Sequence, residues 1–439
     1  MNTETTAARA AWSMARRNWL LLLLCATGLV NMLDRQIISI LLQPIKQEFA
    51  ASDTVMGLLT GPIFAGFFAL AAIPVARSLD VYPRKVVLAA CITFWSLMTS
   101  LGGLAQSFVQ LALTRIGVAV AEAGGAPASH SMAADLYPLR RRGLAIATIS
   151  AAQSLGIGLG VFLGGWLTEA FGSWRTSFMI VGLPGIILAV VLLFSVREPP
   201  RGMSDNLSDD APAPKFFATF AELWGLLSFR CMFLVTTFGG IGGYGFLNWG
   251  PTFLRRVHHM TGSQVGTWFG LTVAAALITG NMMGGYLGDR FGRRNLTGYL
   301  WVCGAGPLLA VSAGMVFLFS HDWRVAIVGL FLYQGLLTTH IPSAYTMGQT
   351  LAPLRMRATA SVILNLGSAL VGTAVAPLII GALNDLLAPR LGDESIRYSM
   401  SIVAVFPLLA CACAWLAIRW VRSDYARSHG REYAPVDEA

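Results

Sequence analysis

Long apolar blocks alternate with short polar loops along almost the whole chain, as over 19–32 and 185–196. About twelve of these blocks approach or exceed 20 residues, enough for a helix to cross ~30 Å of hydrocarbon. The pattern predicts spans over 18–43, 54–79, 84–104, 107–133, 144–170, 174–196, 227–255, 262–289, 295–319, 323–349, 358–386 and 395–422. The most polar interior stretch, 197–222, carries Pro199, Pro200, Asp205, Asp209, Asp210, Pro212 and Pro214, and it separates six spans from six. The expected fold is therefore an all-α polytopic membrane protein of twelve transmembrane helices. Its domains are a bundle over 1–196, a cytoplasmic linker over 197–226, a second bundle over 227–422 and a tail over 423–439.

Composition agrees with this reading. The 439 residues are 55% hydrophobic and 12% charged, with a mean hydropathy of +0.63, and a soluble domain carries roughly twice that charge. Arg9, Arg16 and Arg17 precede the first block, no small-residue cleavage site follows it, and Asp34-Arg35 interrupts it, so a retained first span is expected. With the amino terminus inside, the loops and span ends facing the cytoplasm hold most of the 31 Lys and Arg, and only seven face outward. That asymmetry sets both termini on the cytoplasmic side. The net charge of +9 is then a matter of topology, and no nucleic-acid partner is expected. Cys25, Cys91, Cys231, Cys303, Cys411 and Cys413 lie in or beside apolar blocks without the spacing of a metal or redox site.

The halves are related. Residues 125–145 align without gaps on 340–360, pairing Pro127 with Pro342, Pro138 with Pro353, Arg140 with Arg355 and Arg142 with Arg357. A second pair joins Asp80, Arg84 and Lys85 to Asp289, Arg293 and Arg294. Both repeats fall in cytoplasmic loops, so the two bundles run in the same direction across the membrane. In such proteins the substrate site lies near the midplane, and rocking of one bundle against the other gives alternating access.

The run Gly285-Tyr-Leu-Gly288-Asp289-Arg290-Phe-Gly292-Arg293-Arg294 is a complete match to the loop signature of the major facilitator superfamily, which the chain resembles over its whole length. The first-half copy departs from the pattern at Ala76 and Val81. Within the superfamily, Asn31-Met-Leu-Asp34-Arg35, the stretch from Arg115 to Glu122, and Asn248-Trp249-Gly-Pro251 resemble the spinster branch of bacterial type. Leu383-Asn-Asp385 and Ile396-Arg397-Tyr398 add to that likeness. The resemblance implies the major facilitator fold in two six-helix bundles, a place in the bacterial inner membrane, a monomer, and lysophospholipids or sphingosine-phosphate-like lipids as substrates.

Asp34, Arg35, Arg115 and Glu122 interrupt apolar spans. A charge there costs several kcal/mol unless paired or wet, and so marks a pathway or proton site. Arg115 and Glu122 are about two turns apart on one helix face, roughly 10 Å along the axis. If spans 1 and 4 line the cavity, as the resemblance implies, Asp34 reaches the level of Arg115 and Glu122 lies deeper. The plain alternative is a salt-bridge network that holds helices together. Against it, the repeat partners of Arg115 and Glu122 are Leu330 and Leu337, and those of Asp34 and Arg35 are Gly243 and Tyr244. Burial makes a carboxylate hold its proton, a nearby guanidinium makes it let go, and arginine itself does not titrate. Glu122, assisted by Asp34, is thus expected to couple protons to the rocking step, with Arg115 alternating between a carboxylate and an anionic substrate group.

In the loop motifs, Asp80, Arg84 and Lys85, and Gly285, Asp289, Arg290, Arg293 and Arg294, are candidate gating residues. A carboxylate there can latch a neighbouring helix terminus or a basic side chain, while the plainer reading is positive-inside charge and a tight turn at Gly292. Glycines stripe span 5 and crowd span 7, where close packing and a bend during gating are both open readings. Candidate substrate contacts in the second half are few: Asn248, Trp249, Thr338, His340 and Tyr345. A cavity charged on one wall and apolar on the other suits an amphipathic substrate with an ionic head. The competing expectations are a proton-coupled symporter of small organic anions, a membrane enzyme and a channel. No assembled nucleophile–base set, H-E-x-x-H or phosphate loop is present, which speaks against an enzyme and against ATP drive. No cofactor or metal is expected, and the proton gradient is the expected driving force.

Overall fold

The computed structural model describes residues 12–201, 203, 216–292, 295–353 and 356–430, and among these no strand occurs. Arg9, half of the polar stretch 197–222, Arg293, Arg294, Arg355 and the tail beyond 430 lie outside the described residues, as do the side chains of Arg140 and Ala358.

The first half opens with α1 (Met14–Glu48), capped by the Ser13 hydroxyl, which accepts from the Arg16 amide. It continues with α2 (Asp53–Leu58), a π-helical turn over Leu59–Ile63, and α3 (Phe64–Val81). Then come α4 (Arg84–Gly102), α5 (Phe108–Glu122), α6 (Gly125–Leu136), α7 (Leu139–Phe171) and α8 (Trp174–Ser195). Within the expected linker, α9 (Phe216–Trp224) is a short helix bent by 101° from α10 (Leu227–Val257). The second half follows with α11 (Gly262–Gly292), α12 (Leu296–Phe319), α13 (Trp323–Thr338) and α14 (His340–Leu351). Next are α15 (Arg357–Asn365), a π-helical stretch over Leu366–Gly372, and α16 (Thr373–Leu391). The chain ends in α17 (Ser395–Ala404), α18 (Phe406–Ala417) and α19 (Val421–His429).

Nine helices among the described residues are long and apolar enough to cross a membrane, or ten if α9 and α10 count as one bent span. The number falls below the twelve expected for physical reasons. The fourth expected span is broken into α5 and α6, neither of which is long enough alone. The last two run together over Thr359–Ala417 with only a 3₁₀ turn at Gly392–Glu394 between them.

The chain forms two compact units. Unit 1 comprises Met1–Ala51, Gly66–Asp210 and Thr261–Ala274, and unit 2 comprises Ser52–Ala65, Ala211–Met260 and Ala275–Ala439. Unit 1 is held by α1 against α7. A Cβ on Gly156 would come within 2.2 Å of the Leu29 carbonyl oxygen, and one on Gly160 within 2.7 Å of that of Leu33. Close backbone approach is therefore what the glycine stripe provides. In unit 2, the start of α2 is fixed by charge. Arg256 donates to both oxygens of Asp53 at 2.6 and 2.7 Å, and the Asp385 carboxylate accepts from the amides of Asp53 and Thr54 at 3.0 and 2.8 Å. Helix α10 is unbroken, so its glycines do not mark a bend in this structure; Gly239 instead seats the ring of His340.

Candidate functional site

The four interior charges lie in unit 1, three of them buried. Asp34 is 0% exposed, Arg115 2% and Glu122 3%, while Arg35 is half-buried. Asp34 sits mid-way along α1, Arg115 mid-way along α5, and Glu122 is the last residue of α5 before the chain breaks at Ala123-Gly124. The two helical turns expected between Arg115 and Glu122 are present. Both carboxylates are enclosed by the surrounding helices and neither is exposed.

Nor does Asp34 pair with Arg115. The Arg115 Nη1 donates to the backbone carbonyl of Asp34 at 3.4 Å, its Nη2 donates to the Thr99 hydroxyl at 3.2 Å, and the guanidinium lies 4.9 Å from the ring centroid of Phe178. Both oxygens of Asp34, both of Glu122 and the Nε of Arg115 have no hydrogen-bond partner. The charges nevertheless act on one another: Arg115 on both carboxylates, Arg35 on Glu122, and Glu122 on Asp34. Buried polar atoms are nearly always bonded, so four unbonded carboxylate oxygens in one region are an exception that calls for a use. Arg115 is held by a main-chain oxygen, a hydroxyl and a ring, and needs no carboxylate to keep its place.

Sequence reasoning did not find Thr99, Phe178, Trp95 or Ser96, which complete the surroundings. They carry no charge and sit in apolar runs, so only the fold brings them to the site. The serine and threonine on α4, three residues apart, were the one available signal, since that spacing puts both on one helix face.

The second-half candidates are all engaged in unit 2. Asn248 Nδ2 donates to the Tyr244 carbonyl of its own helix at 2.9 Å, and Tyr345 Oη donates to Asn365 Oδ1 at 3.3 Å. Trp249, expected as a substrate contact, is 1% exposed and donates Nε1 to the Pro377 carbonyl at 3.1 Å, which makes it a packing residue between α10 and α16. Thr338 donates to the Gln334 carbonyl, and His340 Nδ1 is bonded to that of Leu337 at 2.5 Å.

In the first loop motif the anchored residue is Arg84. Its guanidinium bonds Asp135, Ser131, Glu198 at 3.0 Å and the Pro199 carbonyl at 2.8 Å. Lys85 Nζ donates to the carbonyls of Leu193 and Val196 that end α8, where a cation suits the helix terminus. Asp80 is exposed. The sequence-degenerate copy is thus firmly fixed through its basic residues, with Glu198 from the linker as their partner. In the second motif Asp289 is exposed, and Arg290 donates to the Tyr286 hydroxyl at 3.1 Å. Gly292 does not adopt a left-handed turn; it lies against Tyr299, whose ring a Cβ there would overlap. Gly285 has no steric need to be glycine, since a Cβ would first meet Pro342 at 3.9 Å.

A helical membrane chain with unbonded charges buried in one of its two units has the makings of a carrier, and the comparisons with known proteins agree. The Major Facilitator Superfamily model matches residues 24–377, and the chain belongs to that family. It is 34% identical over 414 residues to an MFS-type efflux pump of Mycolicibacterium smegmatis, covering 93% of this chain and 94% of the relative. It is 27% identical over 398 residues to a cis,cis-muconate transport protein of Acinetobacter baylyi, covering 87% and 91%. Its fold matches a crystal structure of a bacterial homolog of the human lysosomal transporter Spinster in an inward-facing, unoccupied conformation. There the TM-score is 0.86 and the identity 29%, covering 97% of this chain and all of that one. The spinster-like motifs of the sequence therefore belong to a chain similar to spinster homologues throughout.

Proposed function

We propose that the protein is a proton-coupled secondary transporter, crossing the membrane twelve times with both termini cytoplasmic, that moves an amphipathic lysolipid-like substrate by alternating access. The observation that carries the reading is the set of unbonded carboxylate oxygens on Asp34 and Glu122, buried within the electrostatic reach of Arg115. An ionised carboxylate without partners in low dielectric is costly, and taking up a proton removes that cost. Glu122 is the primary proton acceptor, because it closes a broken helix and lies within reach of Arg35 and Arg115, whose withdrawal lets it bind a proton and whose return makes it release one. Asp34 assists it.

The helices of unit 2 favour a substrate with a hydrocarbon body. Their interior mixes apolar side chains with neutral polar ones such as Gln334 and Asn384, and the buried ion pair Asp53–Arg256 sits at helix ends. A proton-coupled symporter of small organic anions is the second reading, supported by the muconate transport protein among the relatives. The two are separated by uptake into proteoliposomes of labelled lysophospholipid and of small dicarboxylates, with and without an imposed proton gradient. The first reading expects gradient-dependent movement of the lysophospholipid; gradient-dependent movement of the dicarboxylates alone would replace it with the second.

A further inference from the structure

Helix α4 carries no charged residue after Lys85, yet it supplies polar atoms beside the buried carboxylates. Thr99 accepts from Arg115, and the Ser96 hydroxyl adjoins Asp34 without making a well-formed hydrogen bond to it. The edge of the Trp95 ring and the amide of Asn31 converge on Gly125, where a Cβ would lie 3.5 Å from Trp95 Cζ3 and 3.8 Å from Asn31 Nδ2. Asn31 is one turn before Asp34 on the same face of α1.

Three donors in this group, Asn31 Nδ2, Trp95 Nε1 and Ser96 Oγ, have no hydrogen-bond partner. Their side chains are enclosed: Asn31 is 7% exposed, and Trp95 and Ser96 are 0%. Leaving a buried donor unmade costs about 1–3 kcal/mol, and here idle donors lie in the same part of unit 1 as idle carboxylate acceptors. Packing alone would be met by apolar side chains of the same shape. A mismatch of donors and acceptors on neighbouring helices fits a site whose hydrogen bonds are made in one protonation state and released in another.

We infer that Asn31, Trp95 and Ser96 are positioning residues of the proton site, donating hydrogen bonds to the Asp34 and Glu122 carboxylates when these are ionised. The inference rests on the proton-coupled reading above. The charged groups acting on Asp34 are Glu122 and Arg115, and those acting on Glu122 are Arg35 and Arg115. On the helices packed around them, α4 has no charge after Lys85, α7 none after Arg142 until Glu169 and α8 none after Arg175, while the titratable groups are His130 on α6, whose Nε2 has no bond partner, Asp135 on α6, which is bonded to Arg84, and the Cys91 thiol on α4. The neutral donors add to Arg35 and Arg115 as means of stabilising the ionised form. Hydrogen bonding to the charged form of a carboxylate favours that form, so deleting a donor makes the site keep its proton to higher pH.

The test is a proton titration of the purified full-length protein in detergent with a pH-indicator dye. Subtracting the curve of an Asp34→Asn/Glu122→Gln double variant isolates the protons bound by the two carboxylates. Trp95→Phe and Ser96→Ala keep most of the side-chain volume and remove the donor. Each is expected to move the midpoint of the difference curve alkaline by about half to one pH unit, where one unit is a tenfold change in proton affinity. Ser96→Ala carries the test alone if Trp95→Phe does not fold. A difference curve in the parent protein with midpoints unmoved in the variants would overturn this inference and leave the proton site standing. No difference between the parent and the double variant would overturn both.

Discussion

The fourth helical segment of each half breaks at the same place in the repeat, and the two breaks are completed in opposite ways. In the first half α5 ends at Glu122 and α6 begins at Gly125; in the second α13 ends at Thr338 and α14 begins at His340. At the second break the polar side chains turn back onto their own helix. Thr338 bonds the Gln334 carbonyl, Thr339 that of Leu336 at 2.7 Å, and His340 that of Leu337. At the first break Glu122 bonds nothing. The break is therefore part of the repeated architecture and needs no carboxylate. Unit 2 completes it with a leucine, Leu337, at the position equivalent to Glu122. What differs between the two breaks is chemistry, and it is the unbonded one that a transport cycle can use.

The largest effect is expected from forcing the first half's chemistry onto the second. Leu337 is 2% exposed, and Leu337→Glu would bury a carboxylate where the site was not built to receive one, at a cost of several kcal/mol. A sharp fall in folded yield and in thermal unfolding temperature in detergent is the expected result; a stable, well-expressed variant would mean that the two breaks are interchangeable. A smaller loss follows from Gly239→Ala, whose Cβ would lie 2.4 Å from Cε1 and Nε2 of His340. Overpacking of this kind costs about 1–3 kcal/mol, and adding His340→Ala should restore most of it. A failure of the second substitution to rescue the first would show that the clash lies elsewhere. The smallest effect belongs to His340→Gln. A histidine already bonded to its own helix is not expected to set the pH dependence of transport, and the pH midpoint should stay within about 0.3 units, a twofold change in proton affinity.

Much of this asymmetry is legible in the residues. The repeat alignment pairs Glu122 with Leu337, and an interior charge in an apolar run needs no structure to be noticed. The family is legible separately, because the loop signature over 285–294 is a local string. What cannot be read from the sequence is which atoms meet. Asp34 and Arg115 lie at matching depths, and depth alone suggests an ion pair, but the Arg115 guanidinium is held by Thr99, Phe178 and the Asp34 main chain. Trp249 carries a family-like motif and turns out to brace α10 against α16 through Pro377. Trp95 and Ser96 are inconspicuous in an apolar run, since neutral polar residues in membrane helices more often bond their own backbone. The broken fourth segment is equally hidden, because an apolar stretch reads the same whether its helix is continuous or interrupted.

The central claim is that Glu122 takes up the proton that drives transport. It is tested most directly by Glu122→Gln in proteoliposomes with an imposed proton gradient, alongside substrate exchange at equal pH on both sides. Glutamine keeps the size and polarity of the side chain and cannot ionise. The account predicts that gradient-driven accumulation is lost by about tenfold or more, as expected for an ionisable intramembrane group with a functional role, while exchange without a gradient persists. Gradient-driven accumulation at the parent rate, with the same pH dependence, would contradict it.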